Sequence, residues 1–215
     1  MTPGTRSAVR KPLREDHLGA STFVEKGWNL IATSDFKDAE AVLLQALLLA
    51  PTDARARALL GWSRMRQGMY DDAQKIFTSL LTENALHAIV SVNLGYVWFR
   101  KGDFARASEL LAHSSRQTRD PQAALYACFY LGLLLAAEEN FFGAESCFQK
   151  TVFLAPNFIE GRYELGRAQL LAGRLAEARN TWKAGHAANR FNVWGKRCAD
   201  ALRLVDRGEQ PISYS

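Results

Sequence analysis

Cysteine, histidine and proline are all scarce in this chain of 215 residues, with three, four and six copies respectively. Cys128, Cys147 and Cys198 are odd in number and show no CxxC spacing. That pattern excludes a disulfide framework and a zinc ribbon, and it reads the thiols as small buried hydrophobes of a reducing compartment. His17, His87, His113 and His186 lie far apart, so no metal-ligating set presents itself and neither metal nor cofactor is expected. Long apolar runs are missing as well. The stretch Leu43 to Ala50 ends at Pro51, short of the ~18 residues that a membrane-crossing helix requires, so no membrane insertion is expected.

Signs of catalytic chemistry are equally sparse. No GxxxxGK[ST], GxGxxG or HExxH string occurs, which leaves the phosphate-cradle and metalloprotease readings without their first evidence. The adjacent carboxylates Asp71-Asp72 and Glu138-Glu139 are helix neighbours that do not face each other, so paired acid/base work is not expected of them. No serine or cysteine has an identifiable base. The chain therefore reads as a non-enzyme with no small-molecule substrate. Residues 1–19 hold Arg6, Arg10, Lys11 and Arg14 with Pro3 and Pro12. They lack the apolar stretch of about 7–15 residues that a secretory signal needs, and they read as a disordered basic lead-in to a cytoplasmic protein.

What is present is an ordinary globular composition, 48% hydrophobic and 23% charged, which excludes wholesale disorder. The net charge of +5 is uneven: +2 over residues 1–20, −1 over 21–158 and +4 over 159–215. Such a basic end can attract an acidic partner or a phosphate backbone.

The most informative feature is a repeat. Gly27, Gly61, Gly95, Gly132 and Gly166 are separated by 34, 34, 37 and 34 residues. Nine residues after each stands a large apolar group: Phe36, Tyr70, Phe104, Phe141 and Leu175. Twelve after each is an alanine: Ala39, Ala73, Ala107, Ala144 and Ala178. Sixteen after each is another large group: Leu43, Phe77, Leu111, Phe148 and Trp182. These columns fit a helical hairpin. The glycine and alanine allow close approach of the paired helices, and the residue nine on starts the second helix and plugs the gap between the pair. Polar turns separate the two helices at Ser34-Asp35, Gly68-Met69, Gly102-Asp103, Glu139-Asn140 and Gly173-Arg174, where C-terminal glycines are favoured. A single hairpin cannot bury its apolar face, so the units are expected to stack.

The pattern resembles the tetratricopeptide repeat family over residues 20–190. That resemblance implies an all-α, right-handed superhelical solenoid of five hairpins. Residues 191–207 are expected to form a capping helix and 208–215 a flexible tail. Three departures stand out. Lys26 occupies a position where leucine is usual, proline is absent at the ends of the second, third and fifth repeats, and three extra residues lie around Arg116 to Pro121. The insertion is expected to loosen or re-angle the stacking.

The resemblance further implies that the first helices line a concave groove used for protein binding. The residue after each repeat glycine gives Trp28, Trp62, Tyr96, Leu133 and Arg167. Three residues before the glycine come Val24, Ala58, Val92, Phe129 and Tyr163, and three after that first column come Ile31, Met65, Phe99, Ala136 and Leu170, with Arg66 and Arg100 alongside. Trp28, Trp62, Met65, Tyr96, Phe99, Phe129, Leu133 and Tyr163 are the expected contacts for an apolar peptide or helix, and Arg66, Arg100 and Arg167 are expected to steer its polar parts. Such residues serve equally well as core between stacked helices. Members that clamp a terminal carboxylate use polar groove residues; the matching sites here are Val24, Trp28, Leu59, Ile89 and Asn93, and only the last is polar. The stretch from Leu59 to Ala73 resembles bacterial type III secretion chaperones, which implies a scaffold, adaptor or chaperone holding an apolar segment. Two other classes of partner are weighed. Arg190, Lys196, Arg197, Arg203 and Arg207 would serve nucleic acid or an acidic partner, and an exposed groove would serve self-association.

Overall fold

The computed structural model describes residues 13–84, 87–117 and 119–209, and among these every regular element is a helix. The first four are α1 (Leu13–Ala32), α2 (Phe36–Leu49), α3 (Ala54–Arg66) and α4 (Tyr70–Thr82). They belong to one compact unit, Met1–Leu86. A second unit, His87–Ser215, holds α5 (His87–Arg100), α6 (Phe104–Gln117), α7 (Pro121–Ala137), α8 (Phe141–Leu154), α9 (Ile159–Leu171), α10 (Leu175–Ala188) and α11 (Val193–Asp206). The expected five hairpins and final helix are all present. α1 begins at Leu13, ahead of the expected residue 20. Most of the lead-in and tail lie outside the described residues.

The repeat columns act as the spacing implied. All five second helices begin at the residue nine after the glycine. The alanine column and the column sixteen residues on are fully buried in every hairpin. The glycine faces that sixteenth residue: a Cβ built on Gly132 would lie 2.6 Å from Cε1 of Phe148, and the other four glycines meet Leu43, Phe77, Leu111 and Trp182 in the same way. The residue nine on is less enclosed than expected. Phe104 and Leu175 are exposed, because the first turn of a second helix sits at the end of the hairpin rather than in its seam.

Each hairpin turn closes with a backbone N–H that reaches back five residues, from Asp35, Met69, Asp103, Asn140 and Arg174 to the carbonyls of Leu30, Arg64, Trp98, Leu135 and Gln169, at 2.8–2.9 Å. This is the Schellman pattern, which requires one residue with positive φ. That residue is Ser34, Gly68, Gly102, Glu139 or Gly173.

Within each unit, adjacent first helices touch (α1 with α3; α5 with α7, α7 with α9, and α9 with α11), whereas no contact joins adjacent second helices among the described residues. Each unit therefore curves toward its first helices. The helix α7 is apolar almost all round and packs against α5, α6, α8 and α9, as a helix at the centre of a stack must. The three extra residues of the third repeat lengthen α7 by a turn at its start. Asp120 caps that turn, accepting from the Gln122 and Ala123 N–H groups at 2.9 and 3.0 Å, with Pro121 in the first helical position. The last helix, α11, packs on α10 and α9 in the place that a sixth first helix would take.

Candidate functional site

In the first unit, the position after the repeat glycine brings Trp28 of α1 and Trp62 of α3 together, with ring centroids 5.8 Å apart. Both are half-buried against the core of Val24, Ile31, Leu43 and Leu59. Arg66 is exposed, and its guanidinium lies 5.2 Å over the Phe36 ring. Two ties fix α3 on the preceding hairpin. The buried Ser63 hydroxyl donates to the Phe36 carbonyl at 2.6 Å, and Arg64 pairs with Glu40 at 2.9 Å. Elsewhere in this unit, Arg57 pairs with Glu83 at 2.6 Å and holds its carboxyl below the usual carboxylate range, chiefly by that hydrogen bond.

In the second unit the same position gives Tyr96, Leu133 and Arg167, all half-buried. Tyr96 stacks on Tyr130 at 4.3 Å and joins Phe99 at 6.0 Å. Tyr130 continues to Tyr126 at 5.7 Å, and Tyr126 to Phe158 at 6.0 Å. The result is an aromatic network running across α5 and α7 to the start of α9. The Arg100 guanidinium donates to the Tyr96 hydroxyl at 3.0 Å. Arg167 forms an ion pair with Glu164 at 3.1 Å and lies over the Tyr163 ring at 5.8 Å. Its charge is thus engaged within α9. Burial raises the Tyr163 phenol above its ordinary pKa against the pull of Arg167, and the ring packs on Trp194 of α11 at 5.6 Å.

Two expected contacts are corrected. Met65 is 1% exposed and Phe129 3% exposed. Phe129 stands edge-on to Phe158 at 5.0 Å and lies 5.9 Å from Phe148, inside the core. Val24, Ala58, Val92, Ile31 and Ala136 are buried likewise. Residues four places before and three places after the half-exposed position are rotated about 40° and about 60° to the same side of the helix, which turns them into the seam with the neighbouring first helix. The candidate surface thus narrows to Trp28 and Trp62 in one unit, and to Tyr96, Phe99, Leu133 and Tyr163 in the other. Sequence reasoning missed Tyr126 and Trp194. Tyr126 stands six residues before Gly132, off the repeat columns, and Trp194 is revealed only by its packing on Tyr163; Tyr130 is core, like Phe129. Val24, Leu59 and Asn93 are buried, so carboxylate clamping has no exposed polar group to work with at those positions.

The cysteines are free thiols. Burial pushes Cys198 up to about 12 and Cys147 up to about 11, and raises Cys128. All three are therefore protonated at neutral pH, which suits packing and not nucleophilic chemistry. The Nδ1 of His186 lies 3.0 Å from the Gly195 carbonyl oxygen. Among the described residues, no group of three or more His, Cys, Asp or Glu stands close enough to hold a metal, and no helix is long and apolar enough to cross a membrane.

Two family models, both described as tetratricopeptide repeat, match residues 24–68 and 64–127. No curated protein matches the chain in sequence. Among solved structures, the chain is similar to TTC0263, a thermophilic TPR protein of Thermus thermophilus, with 20% identity, coverage of 86% of this chain and all of that one, and a TM-score of 0.75. It is also similar to pilF of Pseudomonas aeruginosa, with 19% identity, coverage of 90% and 88%, and a TM-score of 0.64. YrrB, a TPR protein with an unusual peptide-binding site, shares 18% identity over 87% of this chain and 94% of its own, with a TM-score of 0.52. At these identities the likeness concerns the fold, and that fold is a protein-interaction module which presents extended surfaces to protein or peptide partners. Residues 24–127 thus carry tetratricopeptide repeats by sequence, and the fold is that of a tetratricopeptide repeat protein.

Proposed function

We propose that this chain is a non-catalytic scaffold, adaptor or chaperone that receives an apolar peptide or helix on its first-helix face. The division into a lead-in over 1–19, repeats over 20–190, a cap over 191–207 and a tail belongs to this proposal, as does a cytoplasmic location. The observation that carries the reading is the contrast within the first helices. The side chain after each repeat glycine stays half-exposed while most of those four places before and three places after it are buried. The exposed row is aromatic or aliphatic in the first four repeats, and Trp and Tyr serve well as interface anchors. A peptide-binding site is named for YrrB, whose fold this chain shares. An assembly factor or secretion chaperone is one form of the same reading.

The test is affinity capture from the source organism with wild-type bait beside Trp62→Glu and Leu133→Ser, folding being checked by circular dichroism. A client held by the wild type and weakened about tenfold or more in the folded variants supports the reading. Equal recovery by folded variants overturns it, and binding that vanishes as salt rises would favour the basic end instead.

A further inference from the structure

The connection from α10 to α11 is a built corner rather than a slack loop. The Asn189 Oδ1 accepts from the N–H groups of Phe191 and Asn192, each at 3.1 Å. The Asn192 Oδ1 in turn caps α11 by accepting from the Gly195 N–H at 2.6 Å. The backbone passes so close here that a Cβ on Gly195 would fall 1.7 Å from the Asn189 carbonyl oxygen, so only glycine fits. This frame holds Phe191 out into solvent at 75% exposure and Val193 at 58%. Phe191, fixed outward by this frame, gains little from the fold that holds it.

Cations surround these apolar groups. Arg190 lies 4.9 Å over the Phe191 ring, and Arg197 lies 4.4 Å over the Trp194 ring. Lys196, next to Arg197 on α11, is exposed. None of the three has an ion pair among the described residues, while nearby carboxylates are already engaged: Asp200 with Arg203, Asp206 with Arg179 at 2.8 Å, and Glu164 with Arg167 at 3.1 Å. An open cavity of about 620 Å³ adjoins the corner, lined by His186 to Phe191. The corner thus combines uncompensated positive charge, ordered aromatic and aliphatic groups, and a concavity.

We infer that this corner is a second docking site, distinct from the first-helix row, for an acidic amphipathic segment of a partner protein in which carboxylates alternate with large apolar side chains. The charge demands an acidic occupant. The aliphatic Val193 beside Phe191 favours protein side chains over nucleotides, since a valine offers no face for base stacking. Arginines held over aromatic rings can still direct N–H groups at carboxylates, and desolvation by a bound apolar residue strengthens those pairs.

The test is fluorescence anisotropy with the full chain and a labelled synthetic peptide of alternating Asp/Glu and Leu/Phe. Comparators are the same peptide with Leu/Phe replaced by Ser and a single-stranded oligothymidylate. The expected result is saturable binding of the amphipathic peptide, weakened about tenfold in the double variant Arg190→Glu, Arg197→Glu and at least several-fold in Phe191→Ser. The serine comparator is also expected to bind about tenfold more weakly. The altered side chains are exposed, so circular dichroism should match wild type. No saturable binding, equal affinity for the serine comparator, tighter binding of the oligonucleotide or unchanged affinity in the variants would each overturn the inference. These substitutions leave Trp62 and Leu133, the residues altered in the capture experiment, unchanged, so the two tests fail independently.

Discussion

Five hairpin turns require a residue with φ near +60 to +80°, and two of them do not use glycine. Ser34 (φ 68°) and Glu139 (φ 59°) carry a Cβ in a conformation that Gly68, Gly102 and Gly173 adopt freely. The left-handed conformation costs a non-glycine residue about 1–2 kcal/mol, partly offset by the greater unfolded-state entropy of glycine. Glu139→Gly should therefore raise stability by about 1 kcal/mol, read as a higher urea midpoint at unchanged slope. The converse change, Gly102→Ala, should lower it by a similar amount, because a Cβ there meets nothing within 4 Å and backbone strain is the whole effect. These turns were legible in the sequence as short polar breaks. Nothing local announced that a serine and a glutamate would adopt the glycine conformation, because the five-residue closure is imposed by the two helices that meet there.

Between elements, the decisive contact is the glycine of each first helix against the bulky residue sixteen places later. Alanine is the better helix former by about 1 kcal/mol, so Gly132→Ala would stabilise an isolated helix. In the fold its Cβ would press to 2.6 Å on the Phe148 ring, and overpacking costs about 1–3 kcal/mol. The packing term wins when the seam cannot open, and both partners are buried. The expected outcome is a net loss of about 1 kcal/mol with little change in helix content, measured by thermal unfolding followed in the far ultraviolet. In the fifth hairpin the same seam takes a tryptophan because its indole Nε1 donates to the Tyr163 carbonyl at 3.0 Å, which removes the penalty for burying the N–H. The coupled columns and the starts of all five second helices were readable from spacing alone. The fates of Met65 and Phe129 were not, because an apolar residue one turn from an exposed one looks the same in sequence whether a neighbouring helix covers it or not.

Across the whole molecule, stability in a repeat protein is distributed as nearest-neighbour interfaces rather than held in one core. In the second unit, α7 is packed by four other helices while α11 packs on two. Native-state hydrogen exchange should accordingly be slowest for the amides of α7 and faster for those of α11, the spread reporting sub-global opening. Uniform protection across this unit would show a single cooperative core instead. The amino-acid sequence by itself determined the repeat and the all-helical hairpin, because these follow from local periodicity and turn chemistry repeated five times. The tertiary structure alone decided where the chain divides into compact units, which first-helix side chains remain open to a partner, and that the basic C-terminal region presents an ordered aromatic corner at Phe191 and Trp194. Those properties depend on which surfaces residues distant in sequence cover, and a helical period specifies a face without saying what lies against it.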